Sequence, residues 1–186
     1  MTTDRNHQLA NFPQRIGEKL VHALLDDVSW ESALHGFSLV RNKLHVAVMI
    51  EPYLRACLDG KKTIESRFSR RKIPPYRQVM SGDVVLLKQS GGPIVGVCAV
   101  SDAWFYELDP MSWNTIRTEY LPEICADNDF LVGHENAVYA TLMRIQNARS
   151  IKPIDFTKRD MRGWVVLKPR RGGPILSGHR KTKTLE

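Results

Sequence analysis

Cysteine is scarce in this sequence, and long apolar runs are absent. The three cysteines, Cys57, Cys98 and Cys125, lie far apart and form no Cys-x-x-Cys pair, a pattern that indicates buried free thiols in a reducing compartment rather than a disulfide framework. No apolar run reaches the ~18 residues of a membrane-spanning helix. The polar residues 4–8 stand where a signal peptide would need an apolar run. We therefore expect a soluble, cytoplasmic protein without a membrane partner.

Signatures of cofactor and metal sites are missing as well. No Walker, dinucleotide-binding or zinc motif occurs, and no pair of Cys or His residues stands at ligand spacing. We therefore expect neither a cofactor nor a bound metal. The hydrophobic fraction of 42% and the charged fraction of 25% are those of an ordinary globular chain, so a compact domain is predicted.

Positive charge is concentrated in two stretches. The formal net charge is +7, yet residues 61–77 hold seven Lys or Arg against Glu65, and residues 168–186 hold six against Glu186. The rest of the chain is therefore mildly acidic. Two basic zones on such a body predict an anionic partner, and RNA or another single-stranded nucleic acid is the simplest candidate. Membrane headgroups are the other anionic surface, but the basic zones lack an amphipathic anchor helix.

Hydrophobic periodicity divides the chain into three parts. Residues 1–40 are predicted to form an N-terminal helical extension, because apolar residues recur at helical spacing between positions 16 and 25. Residues 41–168 hold the strands of one domain, and residues 169–186 form a basic tail without periodicity, which we expect to be disordered. The helical arm at residues 13–36 is a candidate docking segment for a protein partner.

Within the domain, apolar runs alternate with turn residues. Pro52 is predicted to start a short helix that ends at Gly60. A second helix is predicted to start at Asp109, which caps it, with Pro110 at the first helical position. An apolar run at residues 84–88 indicates a strand that is buried on both faces. Further strands are predicted after Gly60 and at residues 44–50, 94–100, 136–145 and 163–167.

The segment from Gly60 to Phe68 carries the densest chemistry of the chain. Because side chains alternate along a strand, Ile64 and Phe68 lie on one face, while Glu65 and Arg67 share the other. Two interpretations fit this pattern: a solvated ion pair on an edge strand, which is the more common case for isolated charges at this spacing, and a functional site that holds a carboxylate beside a guanidinium.

Several short motifs of this chain resemble the ASCH (activating signal cointegrator homology) domain of the PUA-like superfamily. They are Tyr53-Leu54 in a short helix, Gly60-x-Lys62-x-x-Glu65-x-Arg67, Gly82-Asp83 before an apolar strand, and the terminal Gly163-Trp164-Val165. The resemblance covers residues 44–168. It implies an α+β fold, in which a small, partly closed β-barrel is flanked by short helices and a cleft runs beside the strand of Glu65 and Arg67.

The resemblance implies two kinds of function. Most members bind RNA or other nucleic acids, and some are hydrolases: acetylcytidine amidohydrolases and a ribonuclease. In the amidohydrolases a Lys at the position of Lys62 assists a Thr nucleophile at the position of Glu65. Here Glu65 replaces that Thr, and Thr63 is displaced by about 6 to 7 Å along the strand. The catalytic candidates are therefore Lys62 and Glu65, and the further titratable candidates are Tyr53, Asp102, Glu107 and His134.

Binding places fewer demands on these residues than hydrolysis, and we favour it over an enzymatic role. Glu65 can accept from an exocyclic amine of a base, and Arg67 can donate to a carbonyl edge or a phosphate. Aromatic rings can stack on unpaired bases, with Tyr76 or the Trp104-Phe105-Tyr106 run as candidates, although such a run is more often core. The predicted nucleic-acid-binding residues are Lys61, Lys62, Glu65, Arg67, Arg70, Arg71, Lys72, Tyr76 and Arg77.

Overall fold

A computed structural model of the chain describes residues 42–156 and 161–168. The predicted helical extension of residues 1–40 and the predicted tail of residues 169–186 lie outside the described residues. The strands are β1 Leu44–Met49, β2 Ile64–Ser69, β3 Val84–Gln89, β4 Ile94–Glu107, β5 Tyr139–Ile154 and β6 Trp164–Lys168. The helices are α1 Tyr53–Leu58, α2 Pro110–Thr115, α3 Leu121–Ile124 and α4 Asn128–Val132, with a π-helical turn at Ile116–Tyr120 between α2 and α3.

The six strands form one curled sheet. Their order is β2-β5-β4-β3-β1-β6, so β2 and β6 are its two edges. β1 pairs with β3 in parallel, and every other neighbouring pair is antiparallel. The sheet curls into a half-barrel with a few short helices, which confirms the predicted α+β fold with a small, partly closed barrel. Within residues 42–156 and 161–168, no helix has the length and apolar character to cross a membrane.

Most predicted elements occur where local chemistry indicated them. α1 ends just before Gly60, whose φ of 71° is the left-handed conformation that stops a helix. The Asp109 carboxylate accepts from the Ser112 backbone N–H, so it caps α2 as predicted. β3 is buried along residues 84–88, as its apolar run indicated.

Two strands are much longer than their sequence patterns predicted. β4 continues past residue 100 to Glu107, and β5 continues past residue 145 to Ile154. Their pairing is broken by several register shifts, one of them between Val97 and Ala99, and Asn147 on the facing strand has a positive φ of 53°. Such irregularities interrupt the alternation of apolar and polar residues. The sequence pattern therefore covers only the first part of each strand.

The two faces of β2 meet different surroundings. Ile64 and Phe68 pack in an apolar cluster with residues from the helices, among them Ile116 and Ile124. Glu65 lies on the opposite face, which turns towards the inside of the half-barrel, and it is 5% exposed. The predicted alternation is therefore confirmed, but the charged face is buried. The interpretation of a solvated ion pair is wrong, because the curl of the sheet covers this face.

Gly96 on β4 lies where two other elements leave no room for a side chain. A Cβ there would stand 2.6 Å from Cδ2 of Leu58 and 3.0 Å from the carbonyl oxygen of Arg149. We expect Gly96→Ala to lower the free energy of unfolding by about 1 to 3 kcal/mol through overpacking, measured by urea denaturation.

Gly133 provides the matched control for this variant. Its φ is −61°, and the nearest atoms to a Cβ would be 3.5 Å away. Gly133→Ala should therefore leave stability unchanged or raise it by up to about 1 kcal/mol. Equal stabilities of the two variants would contradict the close packing of α1 on β4.

Candidate functional site

Three charged side chains of the Gly60 to Phe68 segment meet inside the half-barrel. Arg67 donates from Nε to Oε1 of Glu65 at 2.7 Å, and Nζ of Lys62 lies 3.5 Å from Oε2 of the same carboxylate. Lys62 and Glu65 are only 3% and 5% exposed. Two cations therefore share one buried carboxylate, and the cluster keeps a net positive charge.

Arg67 also connects the two edges of the curled sheet. It donates from Nη1 to the carbonyl oxygen of Gly163, just before edge strand β6, and from Nη2 to that of Val48 in β1. The Gly163 carbonyl accepts from the Val48 backbone N–H as well. Arg67 itself stands on β2, the opposite edge. Its guanidinium therefore closes the seam of the barrel by hydrogen bonds that the backbones of the edge strands do not make with each other.

A fully buried polar chain supports Arg67 from behind. The guanidinium carbon lies 5.4 Å from the centroid of the Trp164 ring, and Nε1 of Trp164 donates to Nδ1 of His45 at 3.1 Å. Nε2 of His45 is 3.1 Å from Oδ2 of Asp83. An indole N–H can only donate, so Nδ1 of His45 is the acceptor and Nε2 carries the proton towards Asp83. This arrangement fixes the Trp164 ring beneath Arg67.

At the other end of the cluster, Lys62 is held by a backbone carbonyl and an aromatic ring. Its Nζ donates to the carbonyl oxygen of Ile124 at 2.8 Å and lies 5.6 Å from the ring centroid of Tyr53. Burial, followed by the charge of Asp127, raises the pKa of Tyr53. Of the additional titratable candidates, Tyr53 is thus the one that the fold brings to the charged cluster.

The same end of the segment borders a cavity of about 300 Å³. It is lined by the end of α1, by the segment between α1 and β2, and by the irregular part of β5, namely Cys57, Gly60, Lys62, Thr63, Ile145, Gln146, Asn147 and Ala148. Burial, with the nearby Glu65 carboxylate as a second cause, raises the pKa of the Cys57 thiol to about 12. A thiol with such a pKa stays protonated at neutral pH, so it is no nucleophile.

The basic run after β2 is exposed. Arg70 and Arg71 lie at the surface and directly follow the end of the strand. Arg77 is exposed as well, and its guanidinium carbon is 5.7 Å from the Tyr76 ring centroid. Lys72 pairs with Glu107 at 3.0 Å, and both side chains are more than half exposed. Lys61 is exposed before β2. The fold therefore surrounds a buried charged cluster with surface cations.

Two predicted site residues occupy unexpected positions. The prediction that the Tyr76 ring is open for a base to stack on is wrong. The residue is 5% exposed, and its ring packs against those of Phe105 and Tyr139, with centroids 5.8 and 5.0 Å away. Its faces are therefore not an open platform for a base. Arg67 already donates three hydrogen bonds to protein groups, so it does not project freely into solvent as a phosphate ligand would.

The remaining titratable candidates lie away from the charged cluster. Glu107 pairs with Lys72, and Asp102 is exposed on β4 opposite Arg144. Nδ1 of His134 contacts the Phe130 carbonyl oxygen at 2.7 Å, and the imidazole packs on aromatic rings. Among the residues that the structure describes, no three His, Cys, Asp or Glu side chains cluster as metal ligands do.

Thr63, which stands two residues before the position of the family's Thr nucleophile, faces a carboxylate that is already engaged. Its hydroxyl donates to Oε1 of Glu123 at 3.3 Å, while Arg144 donates to both carboxylate oxygens, at 2.6 and 3.1 Å. The hydrogen bond from Arg144 is the main cause that lowers the pKa of Glu123. A carboxylate with a lowered pKa is a weak base, so Glu123 is poorly suited to activate the Thr63 hydroxyl.

Sequence reasoning missed the residues that position Arg67. Trp164, His45 and Asp83 were not among the predicted site residues, although Gly163-Trp164 and Gly82-Asp83 belong to the motifs of the ASCH resemblance. For His45, the only indication in the sequence was that it is a single His in an otherwise apolar strand. Its role depends on contacts across 38 and 119 residues of sequence, which no local pattern encodes.

Comparisons with known proteins identify the fold. No family model and no curated protein matches the sequence. The structure is similar to that of a mutant ASCH protein from Zymomonas mobilis, with a TM-score of 0.51, 20% identity, and coverage of 61% of this chain and 75% of the other. A second mutant of that protein gives a TM-score of 0.50 at 20% identity, covering 61% of this chain and 76% of the other. The chain therefore has the ASCH-type fold that its motifs indicated.

The Glu65 carboxylate is expected to be essential for stability. Glu65→Gln keeps the shape of the side chain but leaves the buried Lys62 and the partly buried Arg67 without their shared anion. Breaking a buried ion pair in this way costs on the order of 3 to 5 kcal/mol, and we expect a loss of that size in urea denaturation.

Glu107→Gln is the control, because it removes one carboxylate from an exposed pair. Its side chain is 60% exposed and that of Lys72 is 57% exposed, and such pairs contribute less than about 1 kcal/mol. If both variants lost equally little stability, the two cations would not depend on Glu65.

Proposed function

We propose that this ASCH-fold chain is a binding module for single-stranded nucleic acid, in the first place RNA. The observation that carries the proposal is the position of Arg70 and Arg71. They follow β2 directly, so two exposed guanidinium groups stand at the rim of the surface whose interior holds Lys62, Glu65 and Arg67.

The rim cations are available to a ligand. Among the described residues, neither Arg70 nor Arg71 forms an ion pair, and Arg77 is exposed a few residues further on. Phosphates spaced along a flexible strand can contact such cations without a fixed helical geometry. Guanidinium groups also donate to phosphate oxygens in a bidentate manner. The rim therefore offers sequence-independent affinity for a single strand.

The buried cluster supplies the second part of the argument. Two cations and one carboxylate inside a fold give little net stability compared with apolar packing of the same volume. A polar cluster with a net positive charge, which borders a cavity of about 300 Å³ and lies beside a cationic rim, is better explained as part of a recognition site for an anionic, hydrogen-bonding ligand.

A hydrolase is the alternative function, and the approach of Lys62 to Glu65 beside a cavity of about 300 Å³ is the observation in its favour. The chemistry is unfavourable in this conformation. Nζ of Lys62 donates to the Ile124 carbonyl, Oε1 of Glu65 accepts from Arg67, and the partner of Thr63 is a weakened base. Turnover of an acetylated cytidine nucleoside or cleavage of RNA by the purified protein would establish the hydrolase instead.

Salt dependence tests the rim. We expect Arg70→Ala/Arg71→Ala to weaken binding of every short single strand alike, because phosphate contacts carry no base information. Removing one phosphate contact should flatten the slope of log affinity against log salt by roughly 0.7, and the double variant should therefore flatten it by about 1.4. Fluorescence anisotropy at several salt concentrations measures this slope.

Arg117→Ala/Lys152→Ala is the matched control, since it removes the same charge from exposed positions on other elements. It should leave the salt slope close to that of the unsubstituted chain. If both double variants changed the slope equally, only the net charge would matter and the proposed rim would be wrong.

A further inference from the structure

A second, smaller cavity lies at the other end of β2, where the function proposed above assigns no ligand group. Its volume is about 140 Å³, and its walls come from the end of β2, the segment of residues 73–76, β5 and the start of β6. Arg67 reaches it from β2, and no Asp or Glu is among the described residues that line it. The exposed Arg70 and Arg71 lie in the segment that joins two of its walls. The cavity therefore has a positive charge and no acidic wall.

The Arg67 guanidinium keeps unused donors beside this cavity. Its Nε, Nη1 and Nη2 each donate one hydrogen bond, to Glu65, Gly163 and Val48 respectively. A guanidinium has five N–H groups, so one on Nη1 and one on Nη2 donate to no group in the described part of the chain. Because Lys62 shares the Glu65 carboxylate, the cluster also has one positive charge that no anion balances. Both properties favour an anionic ligand.

Gly163 leaves open space next to one of these nitrogens. A Cβ at this glycine would stand 3.0 Å from Nη1 of Arg67, and, apart from the chain neighbours of Gly163, no other described atom lies within 4 Å of that position. Both residues line the cavity. The cavity therefore extends to Nη1, and a small ligand group can approach this nitrogen where any other residue would place a side-chain carbon.

The size of the cavity and the position of Arg67 limit the ligand group. Pockets that enclose whole small molecules measure about 300 to 1,000 Å³, so a volume of about 140 Å³ holds one compact group and excludes a nucleotide. Arg67 does not extend into solvent, so a phosphate within a strand would have to bring the sugars on both of its sides into the cavity. A terminal phosphate is attached on one side only, and it carries a charge of about −1.5 to −2 at pH 7.

From this arrangement we propose that the cavity binds the terminal phosphate of the single strand. One phosphate oxygen accepts a hydrogen bond from the unused N–H of Nη1 of Arg67, and the rest of the strand leaves the cavity past Arg70 and Arg71. This inference rests on the proposed function. It adds a preference for strand ends: a strand with a terminal phosphate binds more tightly than a hydroxyl-ended strand of equal charge.

Fluorescence anisotropy with the complete chain tests this preference. One oligouridylate is an octamer with a 5′-phosphate, and the other is a hydroxyl-ended decamer, whose two additional phosphodiesters match the added charge of about −2. We expect the phosphorylated octamer to bind at least about tenfold more tightly, because hydrogen bonds to charged groups are strong. An octamer with a 3′-phosphate tests the other end. A preference for a phosphate at either end supports the inference, while equal affinities of all three strands overturn it and leave the binding module standing.

Gly163→Ala tests where the phosphate binds. The glycine is not in the left-handed conformation, so the backbone accepts alanine, and the added methyl group occupies the space beside Nη1 of Arg67. The affinity advantage of the phosphorylated octamer over the decamer should fall to less than about twofold. Gly133→Ala, a glycine substitution with room for the methyl group, should keep the full advantage. If Gly163→Ala folds and keeps it too, the phosphate binds elsewhere and the inference is wrong.

A second measurement needs no variant and decides the case in which Gly163→Ala does not fold. In the unsubstituted chain, the ¹⁵N-labelled guanidinium of Arg67 should change its NMR shift when the phosphorylated octamer binds and keep it when the decamer binds. Changes confined to Arg70 and Arg71 would overturn the inference without affecting the proposed function. If the chain binds none of the strands, both fail.

Discussion

The hydrogen bond between Glu65 and Arg67 is the interaction on which the barrel and its candidate site both depend. It fixes a guanidinium that reaches from one edge of the sheet to the backbone at the other edge, where Gly163 and Val48 accept from it. Without the carboxylate, the cation would enter the interior unpaired, which is costly in a low-dielectric surrounding. Lys62 adds a second cation to the same anion. The same three side chains therefore hold the two edges of the sheet together and place charge inside the barrel.

The same interaction gives the candidate site its preorganised geometry. The buried chain from Asp83 through His45 to Trp164 supports one side of Arg67, and Glu65 determines its rotation. A ligand that binds to Arg67 meets a group that has already given up its rotamer freedom. The entropy cost of binding is therefore smaller than with a free surface Arg. The exposed side chains of Arg70 and Arg71, in contrast, are not fixed in this way. Such side chains suit phosphate contacts along a flexible strand.

The sequence predicted those features that local chemistry controls. The alternation of Ile64 and Glu65, the helix stop at Gly60 and the cap at Asp109 each depend on a few neighbouring residues, and all three occur. The resemblance to the ASCH domain added the fold.

The features that sequence reasoning missed depend on contacts between distant segments. The acceptors of Arg67 lie 96 and 19 residues away, and no spacing rule names a backbone carbonyl. Tyr76 was predicted as a ring that could stack on an unpaired base, yet it packs against the rings of Phe105 and Tyr139. β5 was predicted too short because a positive φ at Asn147 interrupts its alternation.

A crystal structure of the chain with a bound tetrauridylate is the most direct test of the central claim, that the exposed cations beside the fixed Arg67 bind a single strand. The account requires a phosphate next to Arg70 or Arg71, with the Glu65–Arg67 hydrogen bond intact. An oligonucleotide bound elsewhere on the surface, with no phosphate next to either residue, would contradict the claim.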